Sequence, residues 1–384
     1  MTDKQPADWD PRSEPVLSDQ IAAYDAMRQR CPVARSDYGY TSLFRHADVL
    51  RVMLDHDTFS SAVSRFPSVP NGMDPPEHTE FRRIIEPYFN QEQMNAFAPA
   101  CHQIAADLAN HLPSGDVEFM ADFADVFAVH VQCASLGWPT DLHEPLLQWT
   151  RKNHQATLSR DEDALNAVAL EFDGYIKNLL AVRRNAGDQA PDDATTRLLH
   201  ERVYDRHLTE DEIVSILRNW TVGELGTIAA SVGILAHYLA KHPDIQQQLR
   251  DNPELLPAAI DEILRIHPPL IMNRRVATRD VEFDGFSIKA GERIAALWAS
   301  ANRDEVVFGD PDEFRLDRDP NLNLLYGAGI HVCPGAPLAR LELETVMQAL
   351  FDATRHIALI PDQPPVNAFY PASGFSDLPL HITK

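Results

Sequence analysis

Tyr326-Gly327-Ala328-Gly329-Ile330-His331-Val332-Cys333-Pro334-Gly335, running on into Ala336-Pro337-Leu338-Ala339-Arg340, is the most informative segment of this 384-residue chain. Three glycines within nine residues let the backbone turn tightly and let a flat ligand approach it closely. Cys333 stands just ahead of a helix start, where unpaired amides favour a thiolate, and a thiolate can bind a metal. A lone cysteine beside a glycine-rich turn is usually a core residue, so the weight rests on the whole string. Cys31, Cys101 and Cys133 have no such surroundings and read as core fillers.

Around this segment the composition is that of a globular chain. Apolar residues make up 44%, and 34 basic against 57 acidic residues give a net charge of −23. That balance argues against a nucleic-acid surface spread over the molecule. No two cysteines form a CxxC, which argues against a disulfide scaffold or a cysteine-rich zinc module. Met1 to Gln20 reads as a polar tail with neither signal peptide nor membrane anchor. Leu217 to Ala240 is the most apolar run, but Arg218, Glu224 and His237 make it a buried helix rather than a membrane span. The expectation is one domain over residues 1–384, soluble and cytoplasmic.

Most of Leu17 to Pro268 carries apolar residues every three or four positions and reads as helix, interrupted by a loop at Asn185 to Thr195. Thr209-Glu210-Asp211-Glu212 is a capping box that opens a long helix ending at Lys241, before Pro243. After Pro269 the pattern changes. Arg275 to Ile288 and Glu292 to Trp298 alternate like short strands, Gly309 to Asn323 is turn-rich, a last helix starts near Ala336, and Ile357 to Ile382 returns to strands. The fold class is mainly α with a small β portion.

The Cys333 string resembles the haem-binding loop of the cytochrome P-450 family, FGxGxHxCxG followed by LAR, with Tyr326 in place of the usual Phe. The resemblance covers Pro32 to Leu380. It implies a haem b, one per chain, held between the long helix and the cysteine loop, with Cys333 as axial ligand of the iron and Gly335 beside it. Glu262-Ile263-Leu264-Arg265 with Arg318 resembles the family's ExxR network, a structural device. Met73-Asp74-Pro75-Pro76-Glu77-His78-Thr79-Glu80-Phe81-Arg82-Arg83 resembles its DPPEHTxxR segment, which implies that His78 and Arg82 hold haem propionates. Arg275 and His331 match further propionate contacts, with Arg274 competing for the place of Arg275.

Gly223-Glu224-Leu225-Gly226-Thr227 occupies the place of the family's oxygen-site motif, (A/G)-Gly-x-(Asp/Glu)-Thr. The resemblance implies a catalytic threonine at Thr227 and close haem approach at Gly223. The usual acid is missing, because Gly226 stands there, and Glu224 fills a position normally held by Gly. Residues 224 and 227 lie about 60° apart on a helix, so Glu224 can stand near Thr227 and replace the acid, directly or through a water. The competing reading is that Glu224 faces away, pairs with a base and only packs.

The resemblance implies a monooxygenase that puts one oxygen of O2 into a small or mid-sized organic substrate, by hydroxylation or O- or N-dealkylation. Separate ferredoxin and ferredoxin reductase partners would bring electrons from NAD(P)H, with Arg83 and Arg340 as candidate docking residues. Alternatives are a peroxide-using or atypical haem–thiolate enzyme and a non-catalytic haem-binding or sensing protein. Only Phe66-Pro67-Ser68-Val69-Pro70-Asn71-Gly72 separates Arg65 from Met73, so an open or differently covered pocket is expected. By resemblance its walls include Val69, Asn71, Leu225, Ile271, Met272 and Phe375.

Overall fold

A helix of 32 residues, Glu210–Lys241, crosses the molecule. At ~1.5 Å per residue it is roughly 48 Å long. Its start is fixed as the sequence predicts. Thr209 Oγ1 accepts from the Glu212 amide at 3.3 Å, and the Glu212 carboxylate accepts from the Thr209 amide at 2.8 Å. Its end falls at His242, before a proline that cannot donate. The helix is long and apolar enough to cross a bilayer, yet 67% of its most apolar window is buried inside the protein. The computed structural model describes residues 8–36, 40–64, 67–159, 161–368, 370 and 372–384.

Four helices pack against this rod: Asp125–Leu136, Glu162–Ala186, Leu256–Ile266 and Ala336–Ala353. Ala336–Ala353 also lies along Gln91–His111, so the helix that follows Cys333 is sandwiched between two others. Their apolar faces form one large core, with Phe123, Phe127, Phe172 and Ile216 fully buried.

The β portion is more widely drawn from the chain than its sequence pattern suggests. A five-stranded sheet runs Val33–Arg35, Tyr40–Leu43, Arg293–Ala296, Asn273–Ala277, Phe59–Ser60. Its second and third strands pair in parallel, Ile294 opposite Thr41, and its other pairs are antiparallel. A second sheet joins His356–Leu359, Pro379–Thr383 and Gly115–Glu118. The N-terminal strands fall within the stretch read as helix. Each has only two to four residues, too few to show a period; Tyr40–Leu43 and Phe59–Ser60 are strands because Arg293–Ala296 and Asn273–Ala277 supply distant hydrogen bonds, and Val33–Arg35 extends the sheet as a short hairpin with Tyr40–Leu43. The polar-tail reading also needs correction. Residues 1–7 lie outside the described residues, but Trp9 is buried, its ring 5.1 Å from that of Phe44.

The turn-rich segment 309–323 is held by a buried ion cluster. Arg265 donates to both oxygens of Glu262, at 2.7 and 3.0 Å, and to the carbonyls of Asn302 and Pro311. Arg318 donates to Glu262 Oε1 at 2.9 Å, and the Arg315 amide to the same oxygen at 3.1 Å. One carboxylate thus ties the helix Leu256–Ile266 to the chain that leads into the cysteine loop.

Candidate active site

The cysteine loop is pinned at both ends. The Cys333 amide donates to the Tyr326 carbonyl at 2.8 Å, and a short turn, Gly329–His331, lies between. Gly329 has φ +69°, and a Cβ there would stand 2.5 Å from the Met53 carbonyl oxygen. Only glycine fits this close approach of loop to helix His46–Leu54. The Cys333 thiol is exposed. Loss of solvation raises its pKa, while the Gly335 and Ala336 amides and Arg82 act the other way. Coordination to a metal would remove that proton outright. Arg340 covers the Tyr326 ring at 4.5 Å and pairs with Asp261 at 3.1 Å.

His78 and Arg82 from the helix Glu77–Ile85, Arg275 from the strand Asn273–Ala277 and His331 from the cysteine loop lie within electrostatic reach of one another. The His78 and His331 rings are 4.1 Å apart, and His331 Nε2 meets Ser61 Oγ at 2.9 Å. Burial pushes both histidines down, to about 4 and about 3, with the neighbouring arginines adding to the effect. The buried His78 Nε2 has no hydrogen-bond partner among the described residues. Arg82 is buried and pairs with Glu86 at 3.2 Å. Arg275 is 3% exposed and, among the described residues, bonds only to Asn273 Oδ1, the Arg274 carbonyl and Met53 sulfur. Desolvation pulls it down to about 10, and the one carboxylate acting on it is Asp74. Arg274 points outward, its Nη1 3.4 Å from the Tyr40 hydroxyl. Strand alternation therefore places Arg275, not its neighbour, on the inner face.

The otherwise buried central helix carries an open patch in its middle. Val222 is 44% exposed, and a Cβ added at Gly223 or Gly226 would meet nothing within 4 Å. Val222 is a residue that sequence reasoning missed; a large apolar side chain beside two glycines was the available signal. Thr227 Oγ1 donates to the Gly223 carbonyl at 2.7 Å.

Glu224 does not turn toward Thr227. Its carboxyl reaches across to the helix Asp125–Leu136. There, with the Gln132 carboxamide oxygen accepting from Thr221 Oγ1, the amide nitrogen donates to both Glu224 oxygens at 2.5 and 2.7 Å. Nor does it pair with a base. Its other partner is the buried Glu342 carboxyl on Ala336–Ala353. The expected direct hand-over to Thr227 is therefore replaced by a sideways acid pair, because a glutamate is long enough to leave its own helical face.

The short connection after Ser64 is pinned down rather than open, although Arg65 and Phe66 lie outside the described residues. Ser215 Oγ accepts from the Val69 amide at 2.9 Å, Asn219 Nδ2 donates to the Val69 carbonyl at 2.9 Å, and Ser68 Oγ donates to Asn219 Oδ1 at 3.3 Å. Of the expected pocket residues, Val69, Leu225 and Ile271 are packed into the core, while Asn71, Met272 and Phe375 keep exposed surface.

An exposed thiol in a glycine-rich loop stands within electrostatic reach of Arg82, beside buried cations bonded to few acceptors and an unpartnered imidazole nitrogen. These groups suit a flat, iron-bearing, dianionic ligand and define a haem–thiolate protein. The Cytochrome P-450 family model matches residues 117–364. The chain is 32% identical to nocardicin C N-oxygenase of Nocardia uniformis subsp. tsuyamanensis, over 92% of this chain and 94% of that one. It is 31% identical to cyclomarin C epoxidase CymV of Salinispora arenicola, over 85% and 86%. The ligand-free structure of the cytochrome P-450 TbtJ1 superposes with a TM-score of 0.87 at 28% identity, covering 99% of this chain and all of that one. The chain belongs to the cytochrome P-450 family and is a haem b monooxygenase.

Proposed function

We propose that this monooxygenase hydroxylates or O- or N-dealkylates a small or mid-sized organic molecule, using electrons from a separate ferredoxin and its reductase. Bound haem supplies reductive activation of O2, so that one oxygen atom enters the substrate and the other leaves as water. Cys333 would hold the haem iron through its sulfur, and its exposure within a loop fixed by Tyr326 and Gly329 is the observation that carries the reading. Arg82 and Arg275 would hold the propionates by charge, and His78 and His331 would hold them as N–H donors. Gly223 and Gly226 leave room on the central helix, and Thr227 positions oxygen with its hydroxyl.

Val222, Asn71, Met272 and Phe375 offer apolar surface with one amide, in keeping with a mid-sized organic substrate. Nocardicin C N-oxygenase and cyclomarin C epoxidase are both named for oxygenating an organic molecule, which supports that class. The two candidate docking arginines, Arg83 and Arg340, are exposed, each beside one carboxylate.

The test is spectroscopic. The reduced carbon monoxide complex should show the family's long-wavelength Soret band, and Cys333→Ala should lose it while remaining folded. Survival of that band in Cys333→Ala would remove the cysteine from the iron. Product formed with surrogate ferredoxin, reductase and NADH, but not with peroxide alone, supports the electron route.

A further inference from the structure

Glu342 lies on the inner face of Ala336–Ala353, with Leu338 four residues before it and Val346 four after, and is fully buried. Neither of its oxygens has a donor among the described residues. The group within reach is the Glu224 carboxyl, and two carboxyl groups can bond only when one carries a proton.

The groups facing this pair are Gln132 and Cys133 from Asp125–Leu136, Cys101 from Gln91–His111 and Thr221 from the central helix. Cys333 and Tyr326 of the cysteine loop act on it from farther away. Every ionisable group among them is an acid. Burial raises both glutamates, and Glu224 raises Glu342 further. The pair thus keeps at least one proton at neutral pH.

A cavity of about 260 Å³ leads to this place from the surface. Its outer wall includes Gln93, Asp192 and Arg197, and its inner wall includes Trp220, Gln132 and Glu224. It has room for several waters, with polar groups at both ends to hold them.

We propose that Glu224 and Glu342 form a shared-proton store for oxygenation, supplied by water through this cavity and discharged from Glu224 toward the open space at Gly223 and Gly226. The proposal rests on the monooxygenase reading above. In the overall reaction RH, O2, two protons and two electrons give ROH and water. The electrons come from the reductase partner, and the protons pass through the pair. As a proton leaves, a Glu224 O–H bond breaks and an O–H bond forms on water; two facing buried carboxylates remain. Their repulsion favours uptake of a proton from the cavity water. Glu342 acts through Glu224 and is a positioning residue.

Infrared spectra of the haem-loaded protein in H2O and D2O test this. A protonated-carboxyl C=O band that shifts in D2O is expected at neutral pH, moved in frequency by Glu224→Gln and by Glu342→Gln and absent from the double variant. Ala134→Phe, which narrows the cavity, should slow its exchange. In ferredoxin-driven turnover both glutamine variants should lose about tenfold or more in product per NADH and show an altered solvent isotope effect, with the carbon monoxide band intact. Glu342→Asp, which keeps the carboxyl, should retain an infrared band. A wild type without the band, a band unmoved by either glutamine substitution or left in the double variant, or unchanged coupling and isotope effect in the single variants overturns the proposal. Loss of the carbon monoxide band from the wild type would instead refute the monooxygenase reading, and the infrared band would still report on the pair.

Discussion

Glu262→Ala should be among the most destabilising single substitutions in the chain. Glu262 is 5% exposed and accepts four hydrogen bonds, two from Arg265, one from Arg318 and one from the Arg315 amide. Its removal leaves the Arg265 guanidinium, 1% exposed, with two backbone carbonyls and the Phe308 ring at 4.9 Å. Breaking one side of a buried pair costs about 3–5 kcal/mol, a factor of roughly 150 to 5,000 in the folded-to-unfolded ratio. The Arg315 amide loses its acceptor as well, which adds about 1 kcal/mol. Arg318 suffers less, because the carbonyls of Asp310 and Glu313 also receive it. Urea unfolding followed by ellipticity measures the loss. The double variant Glu262→Met with Arg265→Leu removes both members of the most buried pair, leaves Arg318 to its carbonyl acceptors, and should cost less than Glu262→Ala. A Glu262→Ala midpoint within experimental error of wild type, or a double variant worse than the two singles summed, would refute the reasoning.

Gly329→Ala should lower haem content per chain and stability by about 1–3 kcal/mol, because φ +69° and the Met53 carbonyl both oppose a Cβ. Gly115→Ala, with φ +108° and nothing within 4 Å, should leave haem content alone, and equal haem loss in both would refute the clash argument. His267 supplies a pH dependence. Burial, with Arg303 and His237 adding to it, lowers its pKa from 6.5 to about 4. Between those values the unfolded chain binds the extra proton, so stability falls as pH drops from about 6.5 to 4 and is flat above. His267→Gln should remove part of that slope in urea titrations; an unchanged slope would sink the assignment.

The capping box at Thr209 and the turn before Cys333 could be read directly because their hydrogen bonds join residues three to seven apart. The pairing of Ile294 with Thr41 could not be. Strands of four residues carry no periodic signal, and these two lie about 250 residues apart in the chain. Glu342 was partly legible: an acid spaced four residues from both Leu338 and Val346 sits on a core face.

For Glu224 the sequence determined the helix and the angle to Thr227, since both follow from 3.6 residues per turn. The tertiary structure decided where the carboxyl went. A glutamate side chain is flexible and spans several ångströms, so its end point depends on which helices flank it. Here Asp125–Leu136 offers Gln132 and Ala336–Ala353 offers Glu342. The same division holds at Arg274 and Arg275. Their order in the chain is local, but which one turns inward depends on the two flanking strands that fix the sheet's buried face.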